Sequence, residues 1–180
     1  MKKLIAILLL VGIMPVVQGS QDVIELGPYN ISFDLGDLNY TIEFEEPYNS
    51  ETYGGINYTS YEIFLHPIDG GLISIDIAQY QEKVGRTFEN AYKGTEPYVR
   101  TIDNKTSVLF FDEELGCFIA EYTLESQGWV NPKGNFTGDR VNDKDAEMNG
   151  YNSVTIRSVA NWEITRKLLN TIHVELRDES

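Results

Sequence analysis

The chain has 180 residues, with 14 Lys and Arg against 28 Asp and Glu, a net charge of −14 at pH 7. That length encloses one sizeable core but not two comfortable ones, and the acid excess disfavours nucleic acid and anionic lipid, whose binding relies on Lys and Arg. The single cysteine, Cys117, excludes an intramolecular disulfide, so the fold must be held by its core.

At the start, Lys2 and Lys3 flank an apolar run of 14 residues, Leu4 to Val17, and Val17-Gln18-Gly19 supplies small or apolar residues for cleavage. The pattern predicts a signal peptide over 1–19, cut after Gly19, and a single secreted α+β domain over 20–180. The alternative is a retained anchor, but the run falls short of the roughly 17–25 residues of a spanning helix and contains Gly12 and Pro15. No cysteine lies near the cut to carry a lipid. The processed chain has 12 basic residues against 28 acidic ones, a net charge of −16. The expected location is outside the cytoplasmic membrane, either secreted or in the cell envelope.

Tyr29, Ile31, Phe33 and Leu35 alternate with Asn30, Ser32 and Asp34, the pattern of a half-solvated strand. After the turn at 36–39, Tyr40, Ile42 and Phe44 alternate with Thr41, Glu43 and Glu45, which predicts a hairpin with one wet face. Residues 46–57 read as a loop around Pro47 and Gly54-Gly55, 58–66 as a strand and 67–71 as a turn. Residues 72–80 form a further strand with Ile73, Ile75 and Ile77 inward. The period then changes. Val84, Phe88, Ala91 and Tyr92 fall on one helical stripe, which predicts a helix over 82–93 ended by Gly94. Residues 98–102 read as extended and Asp103-Asn104-Lys105 as a turn. Strands over 106–111 and 115–124 are apolar on both faces and are placed centrally under helices, with Cys117 as a buried, inert thiol.

Residues 126–150, with Gly128, Pro132, Gly134, Gly138 and Gly150, predict a long loop, either partner-facing or a mobile insertion. Past it the signal is clear. Val154, Ile156 and Ser158 alternate as a strand, Asn161 caps a short helix with Ile164 and Leu168 on its stripe, and Ile172, Val174 and Leu176 alternate as a last strand. Trp162 and Leu169 flank the helical stripe, with Trp162 expected as a core plug and His173 as solvent-facing. The architecture expected is α+β: a mostly antiparallel sheet of about six to eight strands with two short helices packed on it.

Five of the 13 asparagines, Asn30, Asn39, Asn57, Asn104 and Asn135, head Asn-x-Ser/Thr triplets, more than chance placement supplies. Four of them fall at turns, loop ends or the long loop and Asn30 on a wet strand face, the exposure a glycan needs. Asp143, Asp145, Glu147 and Asn149, followed by Gly150, space oxygen ligands like the front of a Ca2+ loop. In the register that starts at Asp145 the twelfth position is Ile156 rather than a bidentate acid, so a solvated acidic turn is the competing reading. His66 and His173 are isolated and make neither a zinc motif nor a triad, leaving no catalytic residue assigned. A carboxylate pair such as Asp34 and Glu43 could share a wet face, but nothing there suggests the burial that tunes an acid. Tyr48, Tyr53, Tyr58 and Tyr61 crowd the first loop and the next strand; they suit either a sugar or protein partner or the packing of sheet edges.

Trp162, Leu168-Leu169, Thr171-Ile172 and Val174 resemble the closing strand, Trp-containing helix and strand of small secreted α+β proteins of methanogenic archaea, a group of unknown function. The architecture is also similar to the PsbP/Mog1-like fold. The resemblance implies an archaeal envelope protein and covers about residues 25–177. It rests on packing motifs and carries no catalytic residue onto this chain. The leading expectation is a non-enzymatic exported domain that binds an envelope protein or a glycan. The alternatives are a calcium-dependent envelope protein using the acidic segment 143–150, and a carboxylate-based hydrolase.

Overall fold

The computed structural model describes residues 16–18, 23–52, 54–87, 98–125, 128–130 and 147–177. Twelve strands are formed among them: β1 (Val16–Gln18), β2 (Val23–Leu26), β3 (Tyr29–Ser32), β4 (Asn39–Phe44), β5 (Tyr48–Glu51), β6 (Asn57–Pro67), β7 (Ile73–Thr87), β8 (Tyr98–Ile102), β9 (Lys105–Asp112), β10 (Cys117–Thr123), β11 (Glu147–Ser158) and β12 (His173–Leu176). A single helix, α1 (Trp162–Thr171), lies between β11 and β12.

Nine strands form one antiparallel sheet in the order β1-β4-β6-β7-β11-β10-β9-β8, with β5 paired to the start of β6. A second sheet of three strands has the order β12-β3-β2. Strand alternation turns Ile63, Leu65, Ile73, Ile75, Ile77, Leu109, Ala120, Tyr122, Val154 and Ile156 to one face of the large sheet, and all are buried. That face is covered by Ile24, Leu26, Tyr29, Ile31 and Val174 of the small sheet and by Ile164, Leu168 and Leu169 of α1. Full burial of each large aliphatic side chain favours this packing by roughly 1.5–3 kcal/mol. A smaller cluster of Val108, Phe110, Trp129 and Met148 packs on the opposite face, where 128–130 bridge to β9 and β11.

The small sheet is seated by close fit. Gly27 turns the β2–β3 hairpin with φ 56°, and the ring of Tyr61 occupies the space a Cβ would need. Tyr29 crosses Tyr61 edge to face at 5.6 Å, and its hydroxyl donates to Asn152 Oδ1 at 2.5 Å. Burial, with Tyr61 and Glu125 nearby, pushes the Tyr29 phenol far above its ordinary range, so it stays protonated as that donor.

The mostly antiparallel sheet agrees with the sequence reading, but the α+β class with two helices does not. The chain is mostly β, with one helix among the described residues. The predicted helix over 82–93 is overturned through Thr87: β7 runs unbroken to there, with Val84, Gly85, Arg86 and Thr87 paired to Gly150, Asn149, Met148 and Glu147. A three-turn stripe built on Val84 and Phe88 is a weak local preference, and pairing with a strand some 60 residues away overrides it. Residues 88–97 lie outside the described residues.

Glu147–Gly150, read as the end of a loop, opens β11; 126–127 and 131–146 also lie outside. Of the predicted signal segment, Val16–Gln18 pair with β4 as its outermost neighbour and the rest is outside the described residues. No helix among the described residues is long and apolar enough to cross a membrane.

Candidate functional site

At the end of the large sheet where β9 turns into β10, the buried face runs out into solvent. Phe111 and Phe118 are cross-strand partners, with ring centroids 5.0 Å apart and planes at 64°. Phe118 in turn meets Trp162, the first residue of α1, at 4.9 Å and 43°. The three rings form a continuous ridge whose two ends are open: Phe111 is 48% and Trp162 44% exposed. Leu115, in the β9–β10 turn, and Val159, just after β11, are more exposed still.

Local chemistry fixes this geometry. Asp112 Oδ1 accepts from the backbone N–H of Glu114 and Leu115, and Gly116 takes φ 65°, so the turn holds Leu115 outward. Asn161 Oδ1 accepts from Ile164 N–H at 3.1 Å, and Glu163 lies in the first turn, so the capped helix begins at Trp162. With Ile164, Thr165, Leu168 and Leu169 inward, Trp162 lies at the margin of the buried stripe. The core plug expected of Trp162 from the sequence is therefore not found; its ring is the outer end of the ridge. Asp112, Glu113 and Glu114 follow Phe111 in the chain and Glu163 follows Trp162, with Arg166 one turn along α1.

A second feature is a cleft of about 420 Å³ between the β8–β9 turn and β12, lined by Asn104, Lys105, Leu124, Glu125 and Leu176 among others. Asp103 and Asn104 have φ 52° and 57°, both in the left-handed region, as a two-residue hairpin turn requires. The turn directs the Asp103 carboxylate, 3% exposed, at the edge of β12. Its Oδ1 lies 2.5 Å from His173 Nδ1, its Oδ2 accepts from Val174 N–H at 3.0 Å, and Tyr122 Oη donates to it at 3.4 Å. On the other side of the imidazole, Nε2 lies 3.5 Å from Glu175 Oε2. Hydrogen bonding to Asp103 raises the His173 pKa above 6.5 against the opposing effect of desolvation, with Glu175 adding to the rise. His173 is 53% exposed, as the sequence predicted, yet it is fastened to a buried carboxylate.

The structure distributes the predicted site residues widely. Tyr48 is exposed, Tyr58 packs on Tyr80 at 5.4 Å on one face of β6, and Tyr61 turns into the core from the other; Tyr53 lies outside the described residues. Asp34 and Glu43 are not brought together: Asp34 Oδ1 accepts from Gly36 N–H at 2.6 Å, and Glu43 pairs with His66 at 3.1 Å. Glu147 and Asn149 stand on β11 opposite Thr87 and Gly85, and Asp143 and Asp145 are outside the described residues. Among the glycosylation triplets, Asn39, Asn57 and Asn104 are exposed at the start of β4, at the start of β6 and at the β8–β9 turn. Asn30 is half-buried between Glu25 and Glu175 in the small sheet, and Asn135 is outside. Cys117 is buried, as expected.

Sequence reasoning missed a different carboxylate pair. Glu62 and Asp76 face each other across β6 and β7 on the outer face, where Ser60 Oγ donates to Asp76 and Arg157 lies 4.0 Å away. Burial and the charge of Asp76 raise the Glu62 pKa. Three-residue groups able to hold a metal are absent among the described residues. The signal for the His173 site was present in part, since Asp-Asn between two strand patterns marks a tight hairpin turn. Comparisons with family models, curated proteins and solved structures find no match to this chain.

Proposed function

We propose that this protein is an exported, non-enzymatic binding domain of the cell envelope or exterior, and that it holds a protein partner on the Phe111–Phe118–Trp162 ridge. The observation that carries the reading is a run of three contacting aromatic rings, exposed at both ends through Phe111 and Trp162, on a chain of net charge −14. Aromatic rings of this kind anchor protein interfaces when a partner covers them.

Ring orientation and charge choose among occupants. A sugar stacks best on a flat platform, and planes tilted by 64° and 43° present edges and notches instead, which suit an apolar side chain. The acids next to the ridge in the chain, Asp112 to Glu114 and Glu163, and the net charge of −14 disfavour an anionic membrane surface and a second copy of this acidic chain, and favour a basic rim. The partner is thus a protein that seats an apolar anchor between flanking Lys or Arg residues.

The positions of the glycosylation triplets support the same face. Asn104 is seven residues along β9 from Phe111, roughly 23 Å, and Asn39 stands four strands from Phe118, roughly 19 Å. Glycans at those positions and at Asn57 leave the ridge bare.

The test is a native pull-down from the cell envelope with wild type and a folded Phe111→Ser/Trp162→Ala variant, followed by purified binding. The expected result is one protein retained by wild type and lost by the variant, binding as a purified component with affinity that weakens as salt rises. Equal retention of every captured protein by both baits removes the ridge as the binding face.

A further inference from the structure

We infer that Asp103, His173 and Glu175 form a proton-operated clasp that fastens the small sheet to the β8–β9 hairpin of the large one and controls the opening of the cleft between them. β12 is an edge strand of the small sheet, paired only to β3, and its outward Val174 N–H would otherwise face the cleft unpaired. The carboxylate that takes this N–H comes from a turn 71 residues away in the other sheet, and the same carboxylate takes the imidazole of His173. One buried side chain therefore closes both the strand edge and the cleft.

The imidazole has a carboxylate at each nitrogen, and this makes the clasp responsive to its proton. A protonated ring donates from Nδ1 to Asp103 and from Nε2 toward Glu175. A neutral ring can satisfy only one. With its hydrogen on Nδ1, it turns the Nε2 lone pair on Glu175; with its hydrogen on Nε2, it turns a lone pair on buried Asp103. Loss of the proton also removes the cation that offsets two close carboxylates.

The charged and titratable groups around His173 are few. Asp103 faces it from the β8–β9 turn, Tyr122 from β10 through Asp103, and Glu175 from its own strand. Lys105 of β9 and Glu125 beyond β10 line the same cleft. From β3 and β2 its row carries Ser32 and Val23, which do not titrate. Burial holds the tyrosine protonated well above 10, so the proton that works the clasp near neutral pH is the one on His173.

The sign follows from the raised pKa. The clasp is fully engaged below 6.5, the ordinary value for the ring, and weakens as pH rises through the higher folded value.

The test uses the full chain with His66→Gln, which leaves His173 as the sole histidine for proton NMR, together with hydrogen exchange at the Val174 amide. The expected result is His173 titrating above 6.5 and a Val174 protection factor that falls about threefold to tenfold across that titration. His173→Gln, which keeps a donor but cannot titrate, should give a protection factor independent of pH. Titration at or below 6.5, or the same Val174 profile in His173→Gln, overturns the clasp. Asp103→Asn should lower the His173 titration point; where that variant does not fold, Glu175→Gln should lower the point in the same direction, and an unchanged point in the variant that folds overturns the proposal.

Discussion

α1 joins two regions of opposite character. At its C-terminal end Thr171 Oγ1 lies 3.0 Å from both the N–H and the carbonyl of Asp34, and just after it Asp103 takes His173 and Val174. At its N-terminal end Trp162, Phe118 and Phe111 lead the core out into water. The first region is polar and tied across the fold, so its loss should register as stability. The second is apolar and open at Phe111 and Trp162, so loss of either end should register as association more than as stability.

The helix between the two regions is itself anchored by packing. Leu168 is fully buried beneath α1, and Leu168→Ala should cost about 3–5 kcal/mol in chemical denaturation, by lost transfer energy and a cavity. A cost under about 1 kcal/mol would mean that α1 is not seated on the sheets, and the two regions could not then be compared as ends of one rigid element. Next in size is Asp103→Ala, which strands the Val174 N–H and removes the His173 partner. Denaturant midpoints should show about 2–3 kcal/mol lost. A loss no larger than that of an exposed surface change would put the clasp in the same class as the ridge.

Local pattern made one half of this contrast legible and hid the other. Asn161, the stripe of Ile164 and Leu168 and the alternation from Ile172 to Leu176 lie within a few residues of one another, and the cap, helix and strand formed where they indicated. The sequence did not indicate that β11 and β12 belong to different sheets, because pairing partners are set by distant chain. The same reason turned Val84 to Thr87 from helix into strand, since Glu147–Gly150 supply their partners. The exposure of Trp162 is not legible locally, because a stripe identifies the buried side of a helix without showing how far neighbouring strands extend over its first turn. His173 was correctly outward; its tie to Asp103 spans 70 residues and no spacing records it.

Smaller than the Asp103 effect is the pH dependence of the clasp. His173 is more than half exposed, so its contribution is screened and should amount to under about 1 kcal/mol. Because the folded pKa is raised, that contribution is complete below 6.5 and declines as pH rises through the folded value. The stability difference between wild type and His173→Gln should therefore shrink from pH 6 to pH 9 in paired denaturation curves. A difference that grows with pH would reverse the assignment of charge.

The smallest effect on stability belongs to the ridge, where it sharpens the contrast most. Trp162→Ala removes a ring that already faces water on one side and keeps Asn161 as the cap, so the stability loss should stay within about 1 kcal/mol. The same change should abolish retention of the partner, since an anchor ring near the centre of an interface commonly accounts for 2 kcal/mol or more of binding, roughly thirtyfold in affinity. The chain offers a direct optical check before any partner is in hand. Its two tryptophans are Trp162, open to solvent, and Trp129, 1% exposed within the second cluster. Acrylamide should quench wild-type emission in an accessible and a protected component, and Trp162→Ala should leave only the protected one. Persistence of the accessible component in that variant would place the open tryptophan at Trp129, and the ridge would then lack the exposed ring on which partner binding depends.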